Sequence, residues 1–226
     1  MRILIISGGR FSEEFVASYF KQNTYDRVIV ADYGALYAKR LGIVPDIMVG
    51  DFDTLGENEF AALKCEFLAQ NSELCVIKCD PVKDDTDTEI AVRTAIDECR
   101  NSDLCNAMID IICGTGGRID HLLGNIHVLK MALDSGIRAR IIDEKNIVEL
   151  FDKDFILRKN ECPHKYISLI PLGDEVRGIR IEGSAYDVKD LNLMMGISRG
   201  ISNEFAADTI KVSLVSGVLI VVNSGD

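Results

Sequence analysis

The chain has 226 residues, 47% of them hydrophobic and 27% charged, with a formal net charge of -11. That balance fits a globular protein with a sizeable core and excludes a disordered chain. An acidic chain gains nothing from counterion release on DNA or RNA, so no nucleic-acid partner is expected.

The seven cysteines contain no CxxC pair and are odd in number. Reduced thiols in apolar surroundings, such as those of Cys75 and Cys113, are expected, and with them a cytoplasmic location. The first apolar run, Ile3 to Ile6, is too short for a signal peptide, and no later run is long enough to span a bilayer. No membrane partner is expected.

In chain order, an apolar strand over Arg2–Ile6 precedes an amphipathic helix near Ser12–Lys21. A strand at Arg27–Ala31 leads to a helix near Ala35–Leu41, and one at Ile47–Val49 to a helix near Glu57–Ala69. Leu74–Lys78 precedes a helix near Thr88–Arg100, and Ala107–Cys113 precedes one near His121–Leu133, before a strand at Arg138–Ile142. In the last helix Leu122, Ile126, Leu129 and Leu133 are spaced four, three and four apart, which lines one face. This alternation predicts an α/β domain over residues 1–145, with a mainly parallel sheet covered on both faces. Ligands of such sheets bind at the carboxyl ends of the strands.

From Asn146 the helical period disappears. Strands are expected at Asn146–Phe151, Lys165–Pro171, Val176–Glu182, Thr209–Val215 and Val218–Asn223, with glycine-rich turns between them. Residues 146–226 therefore read as a second, all-β domain.

Three acidic loops follow predicted strands: Ala31-Asp32-Tyr33-Gly34, Gly50-Asp51-Phe52-Asp53-Thr54 and Lys83-Asp84-Asp85-Thr86-Asp87. In an extended segment Asp51 and Asp53 point to one side, where both carboxylates can face one cation. Mg²⁺ takes a few carboxylates, phosphate oxygens and water. Each loop has a plainer reading as well. Asp-x-Asp is common in turns, and Thr86 with Glu89 has capping-box spacing, which would put Asp87 at a helix N-terminus. Convergence of all three loops on one sheet edge favours a site.

A fourth segment, Gly114-Thr115-Gly116-Gly117-Arg118-Ile119-Asp120-His121, lies between a strand and a helix. A glycine-rich turn opening a helix offers N–H groups to phosphate, and Arg118 adds a planar cation. Asp120 reads equally as an N-cap or as a ligand. No Gly-Lys-Ser/Thr follows, so this is not a P-loop. His121, His127 and His164 do not make a metal site, because the first two are six apart on a helix.

Taken in order, Asp32-x-Gly34-Ala35, Gly42-Ile43-Val44-Pro45-Asp46 through Gly50-Asp51-Phe52-Asp53, Lys83-Asp84-Asp85-Thr86-Asp87 and Gly116-Gly117-Arg118-Ile119-Asp120-His121 resemble the thiamine pyrophosphokinase (thiamine diphosphokinase) family. Gly183-x-x-Tyr186 and Gly200-Ile201-Ser202-Asn203-Glu204-Phe205 resemble that family's thiamine-binding portion. The resemblance implies an N-terminal α/β catalytic domain that binds ATP and Mg²⁺, and a C-terminal β-sandwich that binds thiamine. It also implies a homodimer with active sites at the subunit interface. The implied reaction converts ATP and thiamine to thiamine diphosphate and AMP by in-line attack on the β-phosphorus.

By the same likeness Asp51, Asp53 and Asp87 are the expected Mg²⁺ ligands. Asp32, Gly34, Asp84, Thr86, Gly116, Gly117, His121 and Asn125 would support nucleotide and metal. Lys83 and Arg118 would neutralise polyphosphate, with Asp120 alongside, and Ser202 and Asn203 would hold the thiamine ring. Two positions depart from the family: Tyr33 stands where Gly is frequent, and Thr54 replaces a common Ser. The alternatives carried forward are a pyrophosphokinase for another alcohol such as a hydroxymethylpterin, a phosphatase of the haloacid-dehalogenase type suggested by Asp51-Phe52-Asp53-Thr54, and a non-catalytic thiamine or nucleotide sensor.

Overall fold

The computed structural model describes residues 1–52, 55–80, 84–101 and 106–226. Asp53, Thr54, Lys83 and Cys105 lie outside the described residues. The chain divides into two compact units, Met1–Glu144 and Lys145–Asp226.

The first unit runs β1 (Arg2–Ile6), α1 (Glu13–Gln22), β2 (Arg27–Ala31), α2 (Gly34–Leu41), β3 (Ile47–Gly50), α3 (Glu57–Gln70), β4 (Cys75–Lys78), α4 (Asp87–Arg100), β5 (Met108–Ile112), α5 (Ile119–Asp134) and β6 (Arg138–Ile142). Its strands are parallel, in the order β6-β5-β1-β2-β3-β4. Ile3 to Ile6, Val28 to Ala31 and Ile109 to Ile112 are buried without interruption, as strands covered on both faces require. Each large aliphatic side chain so buried contributes roughly 1.5–3 kcal/mol. The order reverses at β1, with β2 to β4 on one side and β5 and β6 on the other. That opens a crevice between the loops leaving β1 and β5.

Two expectations needed correction in this unit. The buried line of α5 is Asn125, Val128, Leu129 and Ala132, so of the predicted stripe only Leu129 is fully covered. Ala132 allows close packing, and Asn125 is tolerated inside because its Nδ2 donates to the Gly114 carbonyl at 2.7 Å. Cys75, expected in the core, is exposed, because β4 is the last strand on its side of the sheet and none of its residues is fully buried, the two end ones being exposed and the two between them half-buried. Cys99 and Cys113 are the buried thiols among those described.

The second unit comprises β7 (Asn146–Phe151), β8 (Phe155–Arg158), β9 (Tyr166–Pro171), β10 (Glu175–Glu182), β11 (Val188–Met194), β12 (Asn203–Glu204), β13 (Thr209–Ser213) and β14 (Leu219–Ser224). Within it, β12-β9-β14-β7 and β11-β10-β13-β8 form two antiparallel layers. Ile167, Leu169, Leu219 and Val221 of the first layer share one core with Phe155, Leu157, Val176, Ile179, Leu193 and Ile210 of the second. That is a β-sandwich. The sequence reading lacked β8, β11 and β12. β8 is only four residues long, β12 only two, and β11 carries Asp190 and Asn192, which are poor strand formers. Among the described residues no helix is long and apolar enough to cross a membrane.

Candidate active site

The loops after β1 and β5 are laced together at the switch point. The Ser7 N–H donates to the Ile112 carbonyl at 3.0 Å, Gly9 to Cys113 at 2.8 Å and Arg10 to Thr115 at 2.6 Å. A Cβ at Gly9 would collide with the Thr115 and Cys113 carbonyl oxygens, so only glycine permits this seam. Beneath it, the buried Ser7 and Thr88 hydroxyls share a hydrogen bond of 2.6 Å. A cavity of about 510 Å³ opens here, walled by Ser7 to Arg10, Asp32, Thr86 to Thr88 and Cys113 to Arg118, with His121 and Asn125. Burial pushes the Cys113 thiol up to about 12, so it is a neutral wall at physiological pH.

Asp32, Asp51 and Asp87 each bring a carboxylate oxygen within 4.8 Å of the others. Asp32 and Asp87 line the cavity together with the glycine loop, while Asp51 adjoins them from outside its wall. The three come from the ends of β2 and β3 and the first turn of α4, so parallel strands in consecutive order deliver them to one edge. Asp32 and Phe52 hold left-handed backbone, with φ of 46° and 57°, and Cys113 across the cavity does so at 55°. Non-glycine residues rarely pay this strain of order 1 kcal/mol, and it gathers at functional sites. Two unit charges at 4.8 Å repel by roughly 3 kcal/mol at an effective dielectric constant of about 20. Three clustered carboxylate oxygens are the hard donor set that Mg²⁺ takes, so the residues fit a divalent cation.

The capping question at α4 resolves on geometry. Thr86 Oγ1 accepts from the Glu89 N–H at 3.2 Å, while the Glu89 carboxylate turns to Arg93 at 2.6 Å. Only half of a capping box forms, and Asp87 lines the cavity. Arg118 and Asp120 pair with each other at 2.6 Å and are both exposed at the rim. The hydrogen bond from Arg118 holds the Asp120 carboxyl below the usual range. Gly116, Gly117 and His121 line the cavity at the α5 N-terminus, and Asn125 lies buried beneath them.

Gly34 is absent from the cavity wall. A Cβ there would strike the Ile6 carbonyl oxygen, so glycine is needed for α2 to meet β1. Tyr33 packs edge-on against Tyr37, centroids 5.4 Å apart, and does not line the cavity. Asp84 is exposed and likewise outside the wall, while Asp53 and Lys83 lie outside the described residues. Ser7, Gly8, Gly9, Arg10 and Thr88 went unread in the sequence. Ser7-Gly8-Gly9 directly after an apolar strand was the available signal, since it parallels Gly114-Thr115-Gly116.

In the second unit, Asn203 Oδ1 accepts from the N–H groups of Tyr186 at 3.1 Å and Glu204 at 2.9 Å. Its Nδ2 donates to Ser184 Oγ at 3.1 Å and to the Tyr186 carbonyl at 3.2 Å. Both donors and both lone pairs of the amide are thereby engaged in holding the turn that presents the exposed Tyr186. Ser202 takes φ 58° and its N–H donates to the buried Ser168 hydroxyl at 3.0 Å.

A doubly covered parallel sheet, with a glycine loop at its switch point sharing one cavity with Asp32 and Asp87 of a carboxylate cluster, fits an α/β enzyme of the phosphate-transfer class. Family profiles narrow the class: "Thiamin pyrophosphokinase, catalytic domain" matches residues 18–141, and "Thiamin pyrophosphokinase, vitamin B1 binding domain" matches residues 154–219. The chain is 31% identical to thiamine pyrophosphokinase of Bacillus subtilis over 88% of its own length and 87% of the relative's. The crystal structure of thiamine pyrophosphokinase from Bacillus subtilis superposes with a TM-score of 0.84 at 28% identity, covering 100% of both chains. The Candida albicans thiamin pyrophosphokinase structure shares the fold at a TM-score of 0.77 and 17% identity, over 99% of this chain and 88% of that one. The chain belongs to the thiamine pyrophosphokinase family.

Proposed function

We propose that this protein transfers a pyrophosphoryl group from ATP to the hydroxyl of thiamine, giving thiamine diphosphate and AMP, in the presence of Mg²⁺. The observation that carries the reading is the Asp32–Asp51–Asp87 cluster, two of whose members share a cavity with a glycine loop, in a chain matched by both segments of the family. Bound at that cluster, Mg²⁺ would supply charge neutralisation on the phosphate oxygens.

The chain's own groups do the rest. The α5 N-terminus, with Gly116 and Gly117, offers its positive end to the phosphates. Arg118 exchanges Asp120 for a phosphate oxygen at small cost, since both partners are exposed and water screens the pair. The thiamine hydroxyl oxygen forms a bond to the β-phosphorus as the bond to the α,β-bridging oxygen breaks, AMP departs, and the hydroxyl proton passes to a carboxylate of the site. Asp53 and Lys83 belong to the same proposal as metal ligand and polyphosphate cation. Ser202 and the turn braced by Asn203 are assigned to the acceptor ring.

Incubation with ATP, Mg²⁺ and thiamine, followed by identification of the nucleotide product, tests the reading. Thiamine-dependent AMP supports it; ADP, free phosphate or no product refutes it. A homodimer with shared active sites is part of the proposal, checked by sedimentation of the full chain. So is a reducing cytoplasm, consistent with the six free cysteines among the described residues.

A further inference from the structure

The cavity has a second arginine on its rim, with no role assigned above. Arg10 follows the Ser7-Gly8-Gly9 segment and lines the cavity together with Arg118. Its backbone is fixed on two sides: its own N–H donates to Thr115 at 2.6 Å, and the preceding Gly9 carbonyl accepts from the Tyr37 hydroxyl at 2.9 Å. A Cβ at Gly116 would lie 3.4 Å from the Arg10 nitrogen, so the two phosphate-facing loops are in close contact. From this anchored base the side chain is 73% exposed.

Its partner contrasts with that of Arg118. Arg10 faces Glu144 across 3.7 Å, a loose exposed pair, whereas Arg118 is held by Asp120 at 2.6 Å with a second bond at 3.3 Å. A guanidinium on a fixed backbone, at the mouth of an acid-floored cavity and weakly engaged, is suited to accept phosphate oxygens in its planar fork. We infer that Arg10 binds the phosphate chain of the nucleotide, sharing with Arg118 the charge opposite the carboxylate cluster. This deepens the functional reading above and rests on it for the identity of the nucleotide.

The test is calorimetric titration of the full-length protein and of Arg10→Ala and Arg10→Met with ATP and with adenosine, both in Mg²⁺. The Met variant keeps much of the apolar stem and controls for packing. Both variants should bind ATP about tenfold more weakly, the loss expected for one charge-assisted contact, with adenosine affinity unchanged. ATP affinity within twofold of wild type would overturn the inference. So would an equal loss for adenosine, which would place the side chain against the base or in the fold. Absence of thiamine-dependent AMP in the wild type would instead refute the functional reading, and the ATP-against-adenosine comparison would still decide Arg10.

Discussion

The parallel sheet carries two aspartate clusters built on opposite terms. Asp110, in the middle of β5, is completely buried, and the chain surrounds it with its own donors. Oδ1 accepts from Arg140 at 2.7 and 2.8 Å. Oδ2 accepts from Arg2 at 3.0 Å and from the Tyr19 and Tyr25 hydroxyls at 3.0 and 2.9 Å. At the carboxyl edge, Asp32, Asp51 and Asp87 are half-buried and crowd one another within 4.8 Å. The first arrangement answers a carboxylate with cations from neighbouring strands and serves the fold. The second sets carboxylate against carboxylate, which opposes folding and becomes favourable when a cation arrives.

Substitution should separate the two clusters most sharply. Asp51→Asn should lower Mg²⁺-dependent AMP formation by about a thousandfold or more, by analogy with the loss of a central electrostatic contact, while leaving the melting temperature equal or higher. Near-normal turnover would remove Asp51 from the metal. Asp110→Asn should do the reverse, destabilising the chain by about 3–5 kcal/mol in denaturant unfolding because two guanidinium groups lose their buried partner. A loss under 1 kcal/mol would show that the cluster is not a structural anchor.

The first unit was legible where its residues signal locally. Asp32, Asp51 and Asp87 each follow a short apolar strand, and parallel order then delivers them to one edge. Ser7 to Arg10 were not legible as a site, because their importance depends on β1 and β5 being neighbours, and strand order is not written in local sequence. Asp110 was hidden for the same reason. In Met108-Ile109-Asp110-Ile111-Ile112 it reads as an interruption, and its partners Arg2 and Arg140 are 108 and 30 residues away. In the second unit, Asn203 was readable as a member of a motif, but its commitment to the Tyr186 turn depends on a pairing across 17 residues. Cys75 misled because Leu74-Cys75-Val76-Ile77 has the composition of an inner strand, while β4 has a neighbour on one side only in its unit.

Smaller effects sharpen the contrast. Burial, followed by the Asp110 charge, pushes the Tyr19 hydroxyl up to about 12 and raises Tyr25 in the same direction. A phenol whose folded pKa is raised gives stability that is complete below the unfolded value near 10 and is lost as pH climbs toward the folded one. Alkaline unfolding should therefore set in above about pH 10, and Tyr25→Phe should flatten that dependence while costing roughly 1.5–3 kcal/mol at neutral pH for a buried bond to a charged acceptor. An unaltered alkaline profile in the Phe variant would disconnect the phenol from the cluster. The smallest effect is expected at Thr86→Ala, about 1 kcal/mol for the lost N-cap of α4, read by thermal melting.

The central claim is that the Asp32–Asp51–Asp87 cluster is a divalent-cation site whose mutual repulsion the cation relieves. Melting of the full chain during a Mg²⁺ titration, with a non-hydrolysable ATP analogue present, tests it without relying on turnover. The account predicts a melting temperature that rises with Mg²⁺ in the wild type and stays flat in Asp51→Asn. An equal rise in both proteins would contradict it.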